Sequence, residues 1–352
     1  MTFRARLAAA VGLAALTLAA CAAPPTGEPS GEETTAGAGG ASPAAAGAVT
    51  VGLTYVPDIQ FAPFYVADAK GYYDEAGVDV TLRHHGQSEQ LFTAIAAGQE
   101  DVVVAGGDEM LQARSQDVPL LSVATLYQEY PVVLIVPEDS PITSPADLAG
   151  HSVGVPGPFG ETYFGLLALL GAAGLTEADV DVEHIGFTQQ AALAAGHVDA
   201  VMGFVNNDAV NFAGAGMAVR TIEIPPNADG VTPLVGIGLG VLDETAASRP
   251  DDVAAVVEAT LRGAADVAAD PAAAVELAAD YVPDLDRPDR QQAALATLEA
   301  TVPLYGEASA FGAQDPATWA AMVAFMTERG LLEADVDAAD AWTAKFLPAA
   351  TN

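Results

Sequence analysis

The side chains with the clearest chemical potential in this 352-residue chain are aromatic and polar residues that fall at or near the ends of predicted strands. Aromatic rings can stack on the faces of a planar ligand, while carboxylates and amides can form hydrogen bonds at its edge. The alternative is that part of this aromatic set packs in the core. The candidate ligand-binding residues are Tyr55, Asp58, Gln60, Phe61, Tyr65, Asp108, Tyr127, Phe159, Tyr163, Asn207 and Asp208.

Catalytic motifs are missing from the sequence, which has no nucleophile elbow, phosphate-cradling glycine loop, paired-cysteine metal site or H-E-x-x-H. Adjacent His84 and His85 would point to opposite faces of a strand, which favours surface or packing roles over a shared metal. The alternating acids from Glu177 to Glu183 favour a solvated face over a cation site. We therefore expect a binding protein without metal or cofactor, and not an enzyme.

A strand, a loop and a helix position the first candidates. Val51 to Tyr55 predicts a strand because β-branched and aromatic residues recur and Pro57 closes it. Ala62 to Lys70 predicts a helix with Pro63 in its first turn, where a missing N–H costs nothing. Ligands of open α/β sheets lie beyond the carboxyl ends of strands, so this loop is a candidate binding site. A turn with aromatic residues packed beneath it is the alternative.

An internal repeat predicts two lobes. The run Ala94 to Gly98 followed by Asp101 parallels Ala192 to Gly196 followed by Asp199, at a constant offset of 98 residues. Each copy predicts a helix closed by glycine, an Asp-led turn and a buried strand. The loops after the two repeated strands, 106–109 and 205–208, are expected to face a shared cleft.

The remaining elements complete an alternating α/β pattern. The predicted strands are Val51–Tyr55, Val78–Leu82, Val102–Ala105, Leu120–Tyr127, Tyr130–Val136, Ser152–Val155, Val182–Ile185, Ala200–Phe204 and Val231–Val241. The predicted helices are Ala62–Lys70, Ser88–Ala97, Thr162–Ala173, Gln189–Ala195, Asp251–Asp270, Ala272–Tyr281, Arg290–Thr301 and Pro316–Gly330.

The order of these elements predicts the domain organisation. Residues 48–134 and 235–352 form lobe 1, and residues 135–234 form lobe 2. The amphipathic helices after Asp251 are expected to pack on lobe 1. Chain crossings near Tyr130 to Glu138 and near Val231 to Gly236 are then two hinge strands, an arrangement that allows closure about a ligand.

Composition and charge restrict the partners. The chain has 47 acidic and 12 basic residues, for a formal net charge of -35. Such a surface repels phosphate backbones, so we expect no nucleic-acid binding. With 51% hydrophobic residues, the chain can fill the cores of about two domains.

The amino-terminal segment predicts export and anchoring. A basic start and the apolar run Leu7 to Leu18, too short for a comfortable membrane span, lead to Cys21, the one cysteine. Leu18-Ala19-Ala20-Cys21 resembles a bacterial lipobox, whose cysteine is lipid-modified; a secreted protein with an incidental cysteine is the alternative. Residues 22–47 lack large apolar side chains and predict a disordered linker. We expect a lipid anchor on the extracytoplasmic side of the cell membrane.

Several motifs carry a family resemblance. Tyr55-Val56-Pro57-Asp58, then Ala62-Pro63-Phe64-Tyr65-Val66-Ala67 and Lys70-Gly71-Tyr72-Tyr73, resembles the opening signature of the SsuA/ThiY-like substrate-binding proteins of ABC importers, relatives of the fungal thiamine-pyrimidine synthase. Members usually show Trp-x-Pro-Asn and then His, where this chain has Tyr55, Asp58 and Phe61. Asn206-Asn207-Asp208-Ala209-Val210 is similar to the Asn-Asn-Glu-Pro-Val motif of the RibY-type, riboflavin-linked branch.

The resemblance implies a type II periplasmic-binding-protein fold, with two α/β lobes joined by two hinge strands and a cleft between them. It implies capture of a planar heterocycle, riboflavin or another flavin or a thiamine pyrimidine precursor, for an ABC permease; a sulfonate, taurine or nitrate-type anion is the alternative. A synthase-like enzyme would consume a histidine and need a cysteine-rich iron site, which one cysteine cannot supply. We expect a monomer in which Asp208 either anchors the ligand or caps the following helix.

Overall fold

The computed structural model describes residues 47–86 and 89–349. The predicted signal segment with Cys21 and residues 22–46 of the predicted linker lie outside the described residues. The strands are β1 Gly47–Leu53, β2 Val78–His84, β3 Val102–Gly106, β4 Leu120–Thr125, β5 Val132–Pro137, β6 Ser152–Val155, β7 Asp181–His184, β8 Ala200–Phe204, β9 Val219–Ile222 and β10 Ile237–Leu242. The helices are α1 Ala62–Ala69, α2 Tyr72–Ala76, α3 Thr93–Ala96, α4 Gly107–Ser115, α5 Gly160–Ala172, α6 Gln189–Ala194, α7 Asp208–Gly214, α8 Asp243–Ser248, α9 Pro250–Ala269, α10 Pro271–Leu277, α11 Pro288–Thr301, α12 Pro316–Glu328 and α13 Ala338–Ala341.

The strands form two five-stranded sheets with matching topology. The first has the order β2-β1-β3-β10-β4, in which β10 runs antiparallel to both neighbours. The second has the order β7-β6-β8-β5-β9, in which β5 runs antiparallel to both neighbours. Each sheet therefore combines four strands of one direction with one inserted antiparallel strand, which confirms the predicted pair of α/β lobes.

The sequence repeat is also a structural repeat. The carboxylate of Asp101 accepts a hydrogen bond from the N–H of Thr50 on β1 at 2.8 Å. At the equivalent place in the second sheet, Asp199 accepts from the N–H of Ser152 on β6 at 2.9 Å. The glycine that follows each preceding helix has a φ of 67°, a conformation that glycine adopts without strain. The Asp-led turn therefore fixes the same strand in both lobes.

The chain crosses between the sheets twice, in segments 126–131 and 223–236. Two crossings agree with the prediction, but both lie in loops, and β5 belongs to the second sheet. Proline explains the difference, because Pro131 precedes β5 and Pro225, Pro226 and Pro233 interrupt the second crossing. The predicted strand Val231–Val241 is accordingly shortened to β10.

The carboxy-terminal helices divide between the two cores. Val256 on α9 and Leu298 on α11 pack in the core of the first sheet, as predicted. Trp319, Met322 and Met326 on α12 instead pack in the core of the second sheet, which corrects the prediction that this helix lies on lobe 1. The amphipathic pattern identifies a buried face and does not specify which sheet it meets.

One helix in lobe 1 is shorter than predicted. The segment Ser88–Ala97 contains a helix only over Thr93–Ala96, and Ser88 itself lies outside the described residues. Residues 89–92, before the helix, form a bend and a turn.

No helix in the described part of the chain is long and apolar enough to cross a membrane.

Candidate ligand-binding site

The carboxyl end of β3 continues directly into α4 and places two acids at its start. Glu109 accepts a hydrogen bond from the N–H of Gly106 at 3.2 Å, closing a capping arrangement at the first turn. Asp108 is fully buried, and its Oδ1 accepts from the N–H of Glu109 at 2.8 Å. The predicted loop 106–109 thus holds carboxylates at the end of a strand.

Tyr130 joins this group to lobe 2. Its hydroxyl lies 2.7 Å from Oδ2 of Asp108 and 3.0 Å from the carbonyl oxygen of Glu161, in the first turn of α5. An added Cβ on Gly106 would come within 2.8 Å of Oε1 of Glu161. Asp108, Glu109 and Glu161, named here the carboxyl cluster, therefore meet where the lobes join.

Burial changes the protonation of the carboxyl cluster. Desolvation raises the pKa of Asp108 to about 7, partly opposed by its hydrogen bond from Tyr130. Desolvation and the neighbouring charge of Asp108 raise the pKa of Glu109 to about 8. Desolvation, with the charges of Glu109 and Asp108, raises the pKa of Glu161 well above its ordinary value. Close carboxyls cannot all ionise without repulsion, so the cluster shares protons near neutral pH.

Three buried polar atoms at or near this junction make no hydrogen bond within the described part of the chain. They are Oε1 of Glu161, Oδ1 of Asn206 and the hydroxyl of Tyr305. These residues are at most 8% exposed. A buried polar atom without a partner costs free energy, and such atoms commonly contact a ligand or ordered water in the working protein.

Asn206 ties lobe 2 to lobe 1 with its amide nitrogen. The amide donates to Oγ1 of Thr301 at 2.9 Å and to the hydroxyl of Tyr127 at 3.4 Å. The rings of Tyr127 and Tyr305 lie 5.7 Å apart between centroids. Burial raises the pKa of the Tyr127 phenol, with smaller contributions from the charges of Glu161 and Asp58. Aromatic surface and acceptor oxygens are therefore close together at the junction.

The predicted residues of the first loop follow β1 and differ in their exposure. Asp58 accepts hydrogen bonds from the backbone N–H of Gln60 at 3.0 Å and from its side-chain amide at 3.1 Å. Phe61 is half-buried and packs edge-on against His84, with centroids 5.7 Å apart. Tyr55 is 41% exposed. Asp58, Gln60 and Phe61 are thus held by local contacts, and Tyr55 is the accessible aromatic of the loop.

Two predicted aromatic residues are positioned away from the junction. Tyr65 has no exposed surface; its ring stacks on Tyr281 at 4.6 Å and its hydroxyl lies 3.1 Å from Nε2 of His84. The Tyr163 hydroxyl donates to Glu177 at 3.0 Å on the outer side of α5. The structure therefore gives Tyr65 a packing role and places Tyr163 in a different neighbourhood from the carboxyl cluster.

Phe159, Asn206 and Asn207 differ in how far they are exposed to solvent. Phe159, immediately before α5, is 53% exposed, and its ring lies over Gly157. Asn207 accepts a hydrogen bond from Asn211 along α7 and is not buried. Asn206, the neighbour that the sequence prediction omitted, occupies the buried junction position.

Asp208 begins α7 and folds back onto its own strand. Its Oδ2 accepts a hydrogen bond from the N–H of Phe204 at 2.8 Å. Burial raises its pKa, and this hydrogen bond opposes the shift. The carboxylate thus stabilises the end of β8, a role distinct from capping the N–H groups of α7.

The list of candidate residues omitted Glu109, Glu161, Asn206 and Tyr305, although the predicted cleft loops 106–109 and 205–208 include Glu109 and Asn206. Glu109 stands three residues after Gly106, where its carboxylate can accept from the Gly106 N–H, and Glu161 is an acid in the first turn of a helix; both positions are visible in the sequence. Neither position indicates that the two helix starts meet. Tyr305 is the last residue of the short 3-10 helix Val302–Tyr305 between α11 and α12 and carries no motif.

The sequence of this two-lobed protein is similar to those of known binding proteins. The sequence profile described as NMT1/THI5 like matches residues 58–274. The chain belongs to the NMT1/THI5-like family. It is 36% identical over 343 residues to the riboflavin-binding protein RibY of Chloroflexus aurantiacus, covering 95% of each chain. It is 30% identical over 162 residues to the formylaminopyrimidine-binding protein of Halalkalibacterium halodurans, covering 46% of this chain and 48% of that protein. The family resemblance from the sequence motifs is confirmed.

Solved structures support the same fold. The periplasmic aliphatic sulphonate binding protein SsuA of Escherichia coli superposes with a TM-score of 0.66 over 84% of this chain and 91% of its own, at 17% identity. The chain therefore has the predicted periplasmic-binding-protein fold. At that level of identity the similarity concerns the fold alone.

Proposed function

We propose that the protein is an extracytoplasmic solute-binding component of an ABC importer that captures riboflavin or a closely related flavin. A thiamine pyrimidine precursor is the other member of the same heterocycle class. The observation that carries the proposal is the 36% identity to a riboflavin-binding protein over 95% of each chain. Binding, not catalysis, is the function class that this relative supports.

The junction chemistry supports a heterocyclic ligand. Flavin and pyrimidine rings are planar and carry N–H or amino donors at their edges. Two buried aromatic rings, Tyr127 and Tyr305, pack beside Asn206, and Asn206 and Glu161 carry buried acceptor oxygens without partners in the described part of the chain. A ligand donor bound to such an oxygen removes the cost of leaving it unpaired.

The same chemistry argues against the sulfonate-type alternative. The similarity to SsuA is 17% identity and concerns the fold. An anion bound at the junction would adjoin Asp108, Glu109 and Glu161, and each of these carboxyls repels it whenever that carboxyl is ionised.

Anchoring through Cys21 and delivery to a permease complete the proposal. The lipobox resemblance and the spacer-like composition of residues 22–47 support a lipid tether, and the family supports a permease partner. Asp58, Gln60, Phe61, Tyr127 and Asp208 remain proposed ligand contacts, with Tyr55 and Phe159 as accessible aromatic residues.

Titration calorimetry with riboflavin tests the function. We expect the wild-type chain to bind riboflavin and Asn206→Ala to bind it about tenfold more weakly or worse, because the substitution deletes a buried acceptor. Asn211→Ala, on the same lobe but on the exposed part of α7, is the matched control and should keep wild-type affinity.

A second titration with a formylaminopyrimidine identifies the ligand within the class. Binding of neither ring compound would refute the proposal. Equal riboflavin affinity of the wild type and Asn206→Ala would remove Asn206 from the site while leaving the ligand assignment in place.

A further inference from the structure

Two helices begin at the junction, one from each lobe. α4 and α5 have nine and thirteen residues, and their first turns carry Asp108, Glu109 and Glu161. The start of a helix normally attracts anions, because free N–H groups and the helix dipole both favour negative charge. A cleft flanked by two helix starts would therefore ordinarily suit a sulfonate or phosphate.

In this protein the N–H groups at the start of α4 are already bound by the protein itself. The N–H of Gly106 donates to Glu109, and the N–H of Glu109 donates to Asp108. The N–H of Gly107 donates to the carbonyl oxygen of Val235 at 3.2 Å. An incoming anion would have to displace these contacts.

Glu161 provides an independent indication of a ligand. It is 8% exposed, and its Oε1 lies against Gly106 on the opposite lobe without a hydrogen-bond partner among the described residues. A carboxyl oxygen buried in this way is stabilised by a donor. In its ionised form the Glu161 carboxylate can only accept hydrogen bonds, so the partner that stabilises this form is an N–H or O–H group.

We propose that Glu161 determines ligand specificity by charge: it accepts a hydrogen bond from a donor on the buried end of an uncharged ring, and with Asp108 and Glu109 it rejects any ligand whose buried end is anionic. The inference rests on the proposed function, since it describes selection at the same site.

Protonation equilibria reinforce this selection. The pKa values of Asp108 and Glu109 are raised to about 7 and about 8, so both groups become ionised as the pH rises through this range. An anion bound at pH 8 or above would therefore lie beside like charges. A ring N–H favours the ionised form of Glu161 instead. Discrimination is therefore greatest at pH 8 and above.

Two measurements at pH 8 test the proposal with the wild type, Glu161→Gln and Glu109→Gln/Glu161→Gln. The first is calorimetric titration with riboflavin, where we expect about a tenfold or greater loss of affinity for Glu161→Gln, the usual size for loss of a charge-assisted bond. The second is thermal melting with methanesulfonate, where we expect no stabilisation of the wild type and stabilisation of the double variant. Glu183→Gln removes one exposed charge from the same lobe and is the control for net charge.

The titration and the melting experiment test the donor role and the charge selection separately. Full riboflavin affinity in Glu161→Gln, or an equal loss in Glu183→Gln, would overturn the donor role. If wild type binds no riboflavin, the proposed ligand fails while the melting experiment still decides the charge selection. Charge selection is supported if methanesulfonate raises the melting temperature of the double variant and not that of the wild type. Any other pattern overturns charge selection.

Discussion

Asp208 combines two roles that substitution can separate. Its carboxylate accepts the N–H of Phe204 and lies over Gly203, so it stabilises the end of β8 next to the proposed site. Asp208→Ala removes the acceptor and should lower the free energy of unfolding by about 1 kcal/mol and ligand affinity by roughly tenfold or more. Asp208→Asn keeps an oxygen for Phe204 and should restore most of the stability but only part of the affinity.

Chemical denaturation and riboflavin titration of both variants measure these effects. Asp208→Asn with wild-type affinity, beside Asp208→Ala with lowered stability alone, would contradict a ligand contact and leave Asp208 with its structural role. Asp229→Ala, in the exposed loop after β9, controls for loss of one carboxylate.

Sequence patterns located individual site residues only roughly. They identified the loops at the ends of β3 and β8, because strand ends can be read from composition. They could not distinguish Asn206 from Asn207, since which neighbour points inward depends on the turn after the strand. They also could not anticipate that Tyr65 stacks on Tyr281, which lies more than 200 residues later in the chain.

The start of α4 makes stability depend on pH. Asp108 and Glu109 have pKa values in the folded protein of about 7 and about 8, above their values of 3.8 and 4.5 in water. A raised pKa means that the folded state binds more protons than the unfolded state between these limits. The stabilising contribution of these groups is therefore complete below about pH 4 and is lost as the pH rises toward 8.

Denaturation at pH 5, 6, 7 and 8 measures this dependence. We expect the free energy of unfolding to fall across this window, by up to about 1.4 kcal/mol per pH unit for each titrating group. Glu109→Gln, whose amide oxygen can still accept the N–H of Gly106, should reduce the slope and be more stable than wild type at pH 8. An unchanged slope in that variant would show that Glu109 does not titrate in the window.

At the scale of elements, the sequence was most informative where local periodicity decides. Strands Ser152–Val155 and Ala200–Phe204 have the predicted bounds. Helices α1, α5, α9 and α11 begin and end within two residues of their predicted bounds. The repeat correctly implied equivalent turns at Asp101 and Asp199. The prediction that α12 packs on lobe 1 was wrong, because an amphipathic pattern shows which face of a helix is buried but not which sheet that face contacts.

The whole molecule is strongly acidic and is proposed to be tethered by Cys21. Cys21→Ser should leave the melting temperature of the folded body unchanged, because the first strand begins at Gly47. It should move the protein from the membrane fraction to the soluble fraction of the expressing cells. Fractionation without detergent and immunoblotting measure the distribution.

Membrane association that persists in Cys21→Ser would rule out the lipid anchor. Ser88→Ala, which leaves Cys21 in place, should stay with the membrane and is the control for handling losses. The net charge of -35 disfavours adsorption to anionic lipids, so a tether is the simplest source of retention.

The path of the chain has a consequence for the order in which the protein can be made. The core of the second sheet needs Trp319, and the first sheet receives β10 only after the entire second sheet has been traversed. Near the end of the chain, Trp342 pairs with Ser122 on β4. A nascent chain that emerges amino terminus first therefore cannot complete either core until its last few dozen residues arrive, and contacts this distant in sequence also fold slowly. For the exported protein proposed above, this topology favours a chain that stays unfolded until it is nearly complete.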